Sequence, residues 1–375
     1  MRVLWRVIVK EFLQLRRDRK MIPAMVVGPL VQLLALGFAA NTDVRDIPLL
    51  VADRDRSAAS RELVADFVRS GYFVPVGAVD DFEEIDRALV EGRAQVALVL
   101  GAGYGEDLAA GRRPTVQVIA DGTDSTSAVV GLGYASRIVS SAGAEIARRR
   151  LDRLPPAVRP GRIVLQPRVW YNPDLKSRWF YVPAITALTL MLLTMVLPSM
   201  AVVREKEIGT LEQISVTPLR PWQLIVGKLF PFFLVGILDL LLVVGAAVVV
   251  FRVPFRGSIL DLVVLTVPFL GTMLGLGLLA STLVRTQQQA MMTAVFLMMV
   301  PMIYLSGMIF PIENMPASIQ AVTWAIPLRY YSIIIRGVFL KGLGVPALAT
   351  EGMVLVAFAA AAIALASLRF RKSLD

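Results

Sequence analysis

Hydrophobic positions along the chain fall into two regimes. In the first, apolar residues run on without a charge: Met21–Thr42, Trp179–Val203, Leu229–Phe251 (broken only by Asp239), Leu262–Val284, Thr286–Ile312, and Pro346–Leu368 with Glu351 near its start. A helix crosses a bilayer with about 20 mostly apolar residues, so these runs predict six transmembrane helices. The last is the softest, because its wholly uncharged part, Gly352–Leu368, has 17 residues. The first run follows a basic segment, and Gly37-Phe38-Ala39 offers a cleavage triplet. Its 22 uncharged residues nevertheless exceed the roughly 7–15 of a signal-peptide core. It reads as an anchor over 21–42.

In the second regime, residues 43–178, short apolar runs alternate with polar ones. Ile47–Ala52, Tyr72–Val76, Gln95–Leu100 and Thr115–Ala120 read as strands. Ala58–Ser70, Asp80–Glu91 and Ser125–Leu151 read as helices, the second with an acidic first turn that suits the helix dipole. This alternation predicts a small α/β domain between the first two spans.

Three further segments are amphipathic or broken. Within residues 1–20, Arg2, Arg6, Lys10, Gln14 and Arg17 form a polar stripe opposite Val3, Leu4, Val7, Ile8, Phe12 and Leu15, the pattern of an interfacial helix or of a basic solvated arm. Residues 204–216 combine a charged helix end, a break at Gly209 and a short amphipathic stretch (Leu211, Ile214, Val216), stopped by Pro218 and Pro221. That pattern suits a rigid helix projecting towards a soluble partner, and equally an ordinary helical loop. Residues 310–342 are too polar to span, with Glu313, Arg329, Arg336 and Lys341, and prolines 311, 316 and 327 interrupt them.

Composition agrees with a membrane protein. Apolar residues make up 56% and charged residues 18%, with mean hydropathy +0.66, against about 45–50% and 25% in soluble domains. There is no cysteine and no histidine, which removes disulfides, thiol nucleophiles, Cys/His metal sites and imidazole catalysis. The net charge of +10 would suit a nucleic-acid binder, but its distribution points elsewhere. Residues 1–20, 204–228, Arg285 and 369–375 hold 15 basic and 6 acidic residues, whereas 41–178 hold 19 of each. With the first set cytoplasmic, the charge follows the positive-inside rule. Both termini are then inside, residues 43–178 are extracytoplasmic, and no nucleic acid is required.

Candidate chemistry is sparse. Gly101-Ala102-Gly103-Tyr104-Gly105 matches no phosphate-loop spacing and reads as a tight strand-to-helix turn. Asp53, Asp55, Asp121 and Asp124 read as loop caps without metal-ligand spacing. Asp239 is the one carboxylate deep in a span, where an acid faces a cavity or a partner helix. Arg336 either lines an exit or snorkels to the interface. Met291, Met292, Met298, Met299 and Met302 offer either an adaptable binding surface or simple helix packing. No GxxxxGK[ST], Walker-B strand end or LSGGQ occurs, since Leu305-Ser306-Gly307 continues Met-Ile-Phe. ATP hydrolysis on this chain is therefore not expected.

At residues 204–228 the sequence REKEIGTLEQISVTPLRPWQLIVGK resembles the signature of ABC-2 type exporter permeases, the membrane subunits of ATP-binding-cassette exporters. The resemblance continues at KEFLQLRRDRK (10–20), DRDRSAASREL (53–63), LSGMIFPIENMP (305–316) and IPLRYYSIIIRGVFLKG (326–342). The subgroup it resembles is the bacterial multidrug-type exporter permease with a large extracytoplasmic insert between the first two spans. It implies an α-helical polytopic ABC-2 fold of six transmembrane helices, with an α/β extracytoplasmic domain between helices 1 and 2. Residues 179–375 would carry helices 2–6, with re-entrant outward helices at about 310–342. It further implies that Arg204, Glu205, Lys206, Glu207, Gly209, Thr210, Leu211 and Glu212 form the coupling helix touching an ATPase. Asp239 and Arg336 remain the pathway candidates. By the same resemblance this chain binds no cofactor of its own, and ATP and Mg sit on a separate cytoplasmic ABC ATPase. The other expected partners are a second permease, membrane lipid and a periplasmic adaptor. The cargo would be a drug-like or lipid-like small molecule, exported across a bacterial inner membrane. Two rival readings stay open: an ion-coupled secondary transporter using Asp239, and a membrane-anchored sensor or scaffold.

Overall fold

The computed structural model describes residues 2–17, 21–40, 46–152, 168, 170–173, 176–209 and 221–372. The chain divides into two compact units, one of residues 42–167 and one of residues 1–41 with 168–375.

In the first unit, β1 (Ile47–Asp53), α3 (Ala58–Arg69), β2 (Phe73–Ala78), α4 (Phe82–Val90), β3 (Val96–Leu100), α5 (Tyr104–Ala109), β4 (Val116–Ala120) and α6 (Ser125–Leu151) follow in order. The sheet order is β2-β1-β3-β4, with β1 parallel to β2 and β3, and β4 antiparallel to β3. β3, and β1 as far as Ala52, are apolar because both their faces are covered. Ile47, Leu49, Val51, Val96 and Leu98 pack with Leu63 and Phe67 of α3 and Ala135 of α6, while Leu50, Ala52, Ala97 and Val99 pack with Ile85 and Ala88 of α4. The expected tight turn at Gly101–Gly105 is shorter than the sequence suggests. Gly103, at φ 85°, ends the turn, and Tyr104 already opens α5, the helix that a strand-to-helix turn here calls for, one residue before Gly105.

The second unit is helical. α1 (Arg2–Arg17) and α2 (Met21–Ala39) precede the α/β unit. After it come α7 (Ser177–Ile208), α8 (Pro221–Val249), α9 (Ile259–Leu283), α10 (Gln287–Leu305), α11 (Ala317–Thr323), α12 (Pro327–Arg336) and α13 (Ala349–Lys372). Among the described residues five helices are long and apolar enough to cross a bilayer: α7 to α10, and the stretch Val345–Arg369 containing α13. The apolar part of α2, Met25–Ala39, is shorter. The run Thr286–Ile312 is not helical to its end. Gly307 turns the chain at φ 76°, and the Ser306 hydroxyl donates to the Ile303 carbonyl while accepting the Met308 N–H.

The hub is α7, whose apolar window is 78% buried, against 17% for α10. α9 lies along both α7 and α13. A Cβ at Gly277 would collide with the Met195 carbonyl of α7, so only glycine permits that approach.

Candidate functional site

α7 does not stop at the end of its apolar run but continues about one and a half turns to Ile208, and Gly209, at φ 77°, terminates it in the left-handed conformation. Successive side chains on a helix point about 100° apart, and three in a row engage three different neighbours. Glu205, only 4% exposed, faces α1 and α8. Its Oε1 accepts from Lys10 at 2.8 Å and its Oε2 from Lys228. Lys10 also donates to Glu11 at 2.9 Å, and Lys228 stands 4.0 Å from Glu11. Lys206 reaches the other way, donating to the Ser281 carbonyl at the end of α9 at 2.7 Å. Glu207 accepts the Gln287 backbone N–H at 2.9 Å, and the Gln287 side-chain amide besides, at the positive end of the α10 dipole.

The four buried or half-buried charges, Lys10, Glu11, Glu205 and Lys228, sum to zero, which is the condition for holding ions out of water. Burial opposes the charge on Lys10, but hydrogen bonds to Glu205 and Glu11 prevail and raise its pKa. Of the residues expected to meet a partner, Glu205 thus has both oxygens engaged by lysines of its own chain. Arg204 and Glu207 are exposed, as is Ile208 at 64%. Thr210, Leu211 and Glu212 lie outside the described residues. Sequence reasoning missed Glu11 and Lys228. Glu11 falls in register with Leu4, Ile8 and Leu15, so an acid on the apolar side of α1 was the available signal.

α1 lies on α8, where Val7 and Leu4 approach Gly227. Its other side leaves Trp5, Val9, Phe12 and Leu13 exposed.

Asp239 sits in the middle of α8, 4% exposed, and neither of its oxygens has a hydrogen-bond partner among the described residues. Tyr331 of α12 lies within its electrostatic reach and shares a 2.9 Å hydrogen bond with Thr266 of α9. Arg336, at the end of α12, is held in place. Its guanidinium stacks 3.7 Å above the Phe180 ring and donates to the carbonyls of Phe180 at 3.3 Å and Met308 at 3.5 Å. The methionines diverge: Met302 is buried, while Met291 and Met292 are exposed. Residues 293–299 between them are π-helical, a distortion frequent at functional sites.

In the α/β unit, the loop after β3 resembles an anion cradle already filled by the chain. Asp55 accepts the Gly105 N–H at 3.0 Å. Bonds from the Ser57 side chain and from the Gly105 and Gly103 backbone hold its carboxyl below the usual range. Asp53 accepts the N–H groups of Asp55 and Arg56 and the Ser60 hydroxyl, Asp121 serves Thr123, and Asp124 serves Ser127. No group of metal-ligating side chains occurs among the described residues.

A hub helix among apolar helices, tied at one end by charges, defines a helical multi-pass membrane protein. The sequence profile of the "ABC-2 family transporter protein" family matches residues 19–368, and the chain belongs to that family. It is 32% identical over 338 residues to the probable multidrug ABC transporter permease YbhR of Escherichia coli K12, covering 90% of each chain. It is 31% identical over 368 residues to the probable multidrug ABC transporter permease YbhS of the same organism, covering 98% of this chain and 96% of that one. To the inner membrane transport permease YhhJ it is 28% identical over 370 residues, with the same coverages. The role of this chain is transport.

Proposed function

We propose that this chain is the membrane-spanning half of an ATP-driven exporter that moves a hydrophobic or amphipathic small molecule out of the cytoplasm or the inner leaflet. The observation that carries this reading is the end of α7, where Glu205, Lys206 and Glu207 clamp α1, α8, α9 and α10 around a single projecting terminus. A soluble engine that pushes on this terminus moves the whole bundle. ATP and Mg are bound by that separate ATPase, and a second permease, identical or sister, completes the pathway. The relatives named multidrug permeases support the cargo class.

In this reading six spans cross a bacterial inner membrane, with α2 as the first. The end of α7 and both termini are cytoplasmic, and residues 43–178 lie outside, where a periplasmic adaptor would meet them. The exposed apolar side of α1, Trp5, Val9, Phe12 and Leu13, rests on membrane lipid at the inner face. Asp239, with both carboxylate oxygens unpaired among the described residues, lines the pathway. Arg336 holds the outward ends of three elements together.

The test is deletion of residues 208–214. The variant is expected to insert and to pair with its second permease, yet neither to retain the ATPase on co-purification nor to export. ATP-driven export at the wild-type rate would overturn the assignment.

A further inference from the structure

The end of the bundle where α7 begins is separated from Glu205 by 28 residues, about 40 Å of helix. In the proposed topology it is the outward end, where the positive-inside rule gives lysine and arginine no role in insertion. Residues 168–178, 250–261 and 337–351 nevertheless hold six basic and three acidic residues there. Two of these cations converge on one ring. The guanidinium of Arg256, in the α8–α9 loop, and the ammonium of Lys341, after α12, each lie 6.0 Å from the centroid of Tyr171. Their loops are tied together by the Arg256 N–H donating to the Phe339 carbonyl at 2.9 Å. Both cations are exposed, and no ion pair joins either to a carboxylate among the described residues.

Two more observations mark the place. Tyr171 and Arg252 hold left-handed backbone at φ 69° and 51°, a conformation uncommon for residues with a side chain and one that clusters at functional sites. Flanking the patch in sequence, Trp170, Val249 and Leu260 are largely exposed, and in the proposed topology they form a rim of aromatic and aliphatic side chains at the headgroup level. An Arg fork and a Lys point charge beside an aromatic ring suit a phosphate, with acyl chains against the apolar rim.

We propose that Arg256, Lys341 and Tyr171 seat the phosphate of an anionic phospholipid in the outward leaflet. The seat is independent of ATP coupling, so its test needs no ATPase. The full-length protein in detergent is offered phosphatidylglycerol or phosphatidylcholine, and bound lipid is counted by native mass spectrometry. Wild type is expected to retain phosphatidylglycerol preferentially, and Arg256→Gln with Lys341→Gln to weaken retention by about 10- to 30-fold, from the usual contribution of two cations near a membrane surface. The charge-preserving pair Arg256→Lys with Lys341→Arg should keep most of it. Removing two exposed cations of the α/β unit, Arg87→Gln with Arg113→Gln, should leave it unchanged.

Equal retention of the two lipids by wild type, a measurement that needs no variant to fold, would overturn the proposal. So would an equal loss in the α/β control. Displacement of the lipid by millimolar inorganic phosphate would assign the seat to free phosphate and overturn the lipid.

Discussion

Changing Glu205 to Gln tests the clamp most sharply. The substitution keeps the shape of the side chain but removes one of two negative charges facing two lysines. Lys228 is 3% exposed and is left with Glu11 at 4.0 Å as its remaining carboxylate. Breaking a buried pair by removing one partner costs about 3–5 kcal/mol, because the other charge stays buried without compensation. Lys10 differs: its side chain is 48% exposed, so its bond to Glu205 contributes about 0–1 kcal/mol. The expected order of destabilisation is therefore Glu205→Gln, close to Lys228→Met, well above Lys10→Met. The double variant Glu205→Gln with Lys228→Met removes both charges of the buried pair, leaves Glu11 with Lys10, and should recover a large part of the loss, giving a coupling of about 1–3 kcal/mol in the cycle. Thermal unfolding of the purified protein in lipid nanodiscs reads all four. Additive single losses, or a Lys10→Met effect equal to that of Glu205→Gln, would show that the clamp does not hold the helix ends together.

Other outcomes can be measured separately. A reporter fused after Gly111 should be active outside and one at the C-terminus inside; cytoplasmic activity from the first refutes the topology. Asp239→Asn should alter transport or cargo-stimulated ATPase activity while the complex still assembles, and normal export by an assembled variant would remove Asp239 from the pathway. Gly277→Ala should cost about 1–3 kcal/mol, since the new Cβ meets backbone rather than a movable side chain; a melting point unchanged from wild type would refute the close approach. The Lys10 pKa is raised above 10.5 in the folded protein, so its stabilising bonds are fully present below about 10.5 and fade as pH rises beyond the folded value. Protease cleavage at Arg16 and Arg17 should therefore quicken only in strongly alkaline buffer.

Much of the membrane unit was legible because lipid imposes a one-dimensional rule: a helix needs a long uncharged run, and flanking charges mark its ends. What the rule left out was local or long-range. Thr286–Ile312 is uncharged throughout, yet a hydroxyl and a glycine at Ser306 and Gly307 end the helix early. Three glycines in five positions hid where α5 starts, because Gly103 alone makes the turn and Gly105 sits within the helix, its N–H turned to Asp55. At the clamp, the charges of 204–207 were visible but their directions were not. Nothing in the spacing shows that Glu205 meets lysines 195 positions before and 23 after it in the chain.

The triple attachment at residues 205–207 also decides what sort of motion the end of α7 can pass on. A rod held on one side swivels under load and dissipates it. Here a swivel in either direction would stretch a bond to a different helix, so rotation meets resistance at every angle. In the proposed function the terminus would work as a keyed shaft, with torque applied beyond Gly209 reaching α8, α9 and α10 together through these bonds.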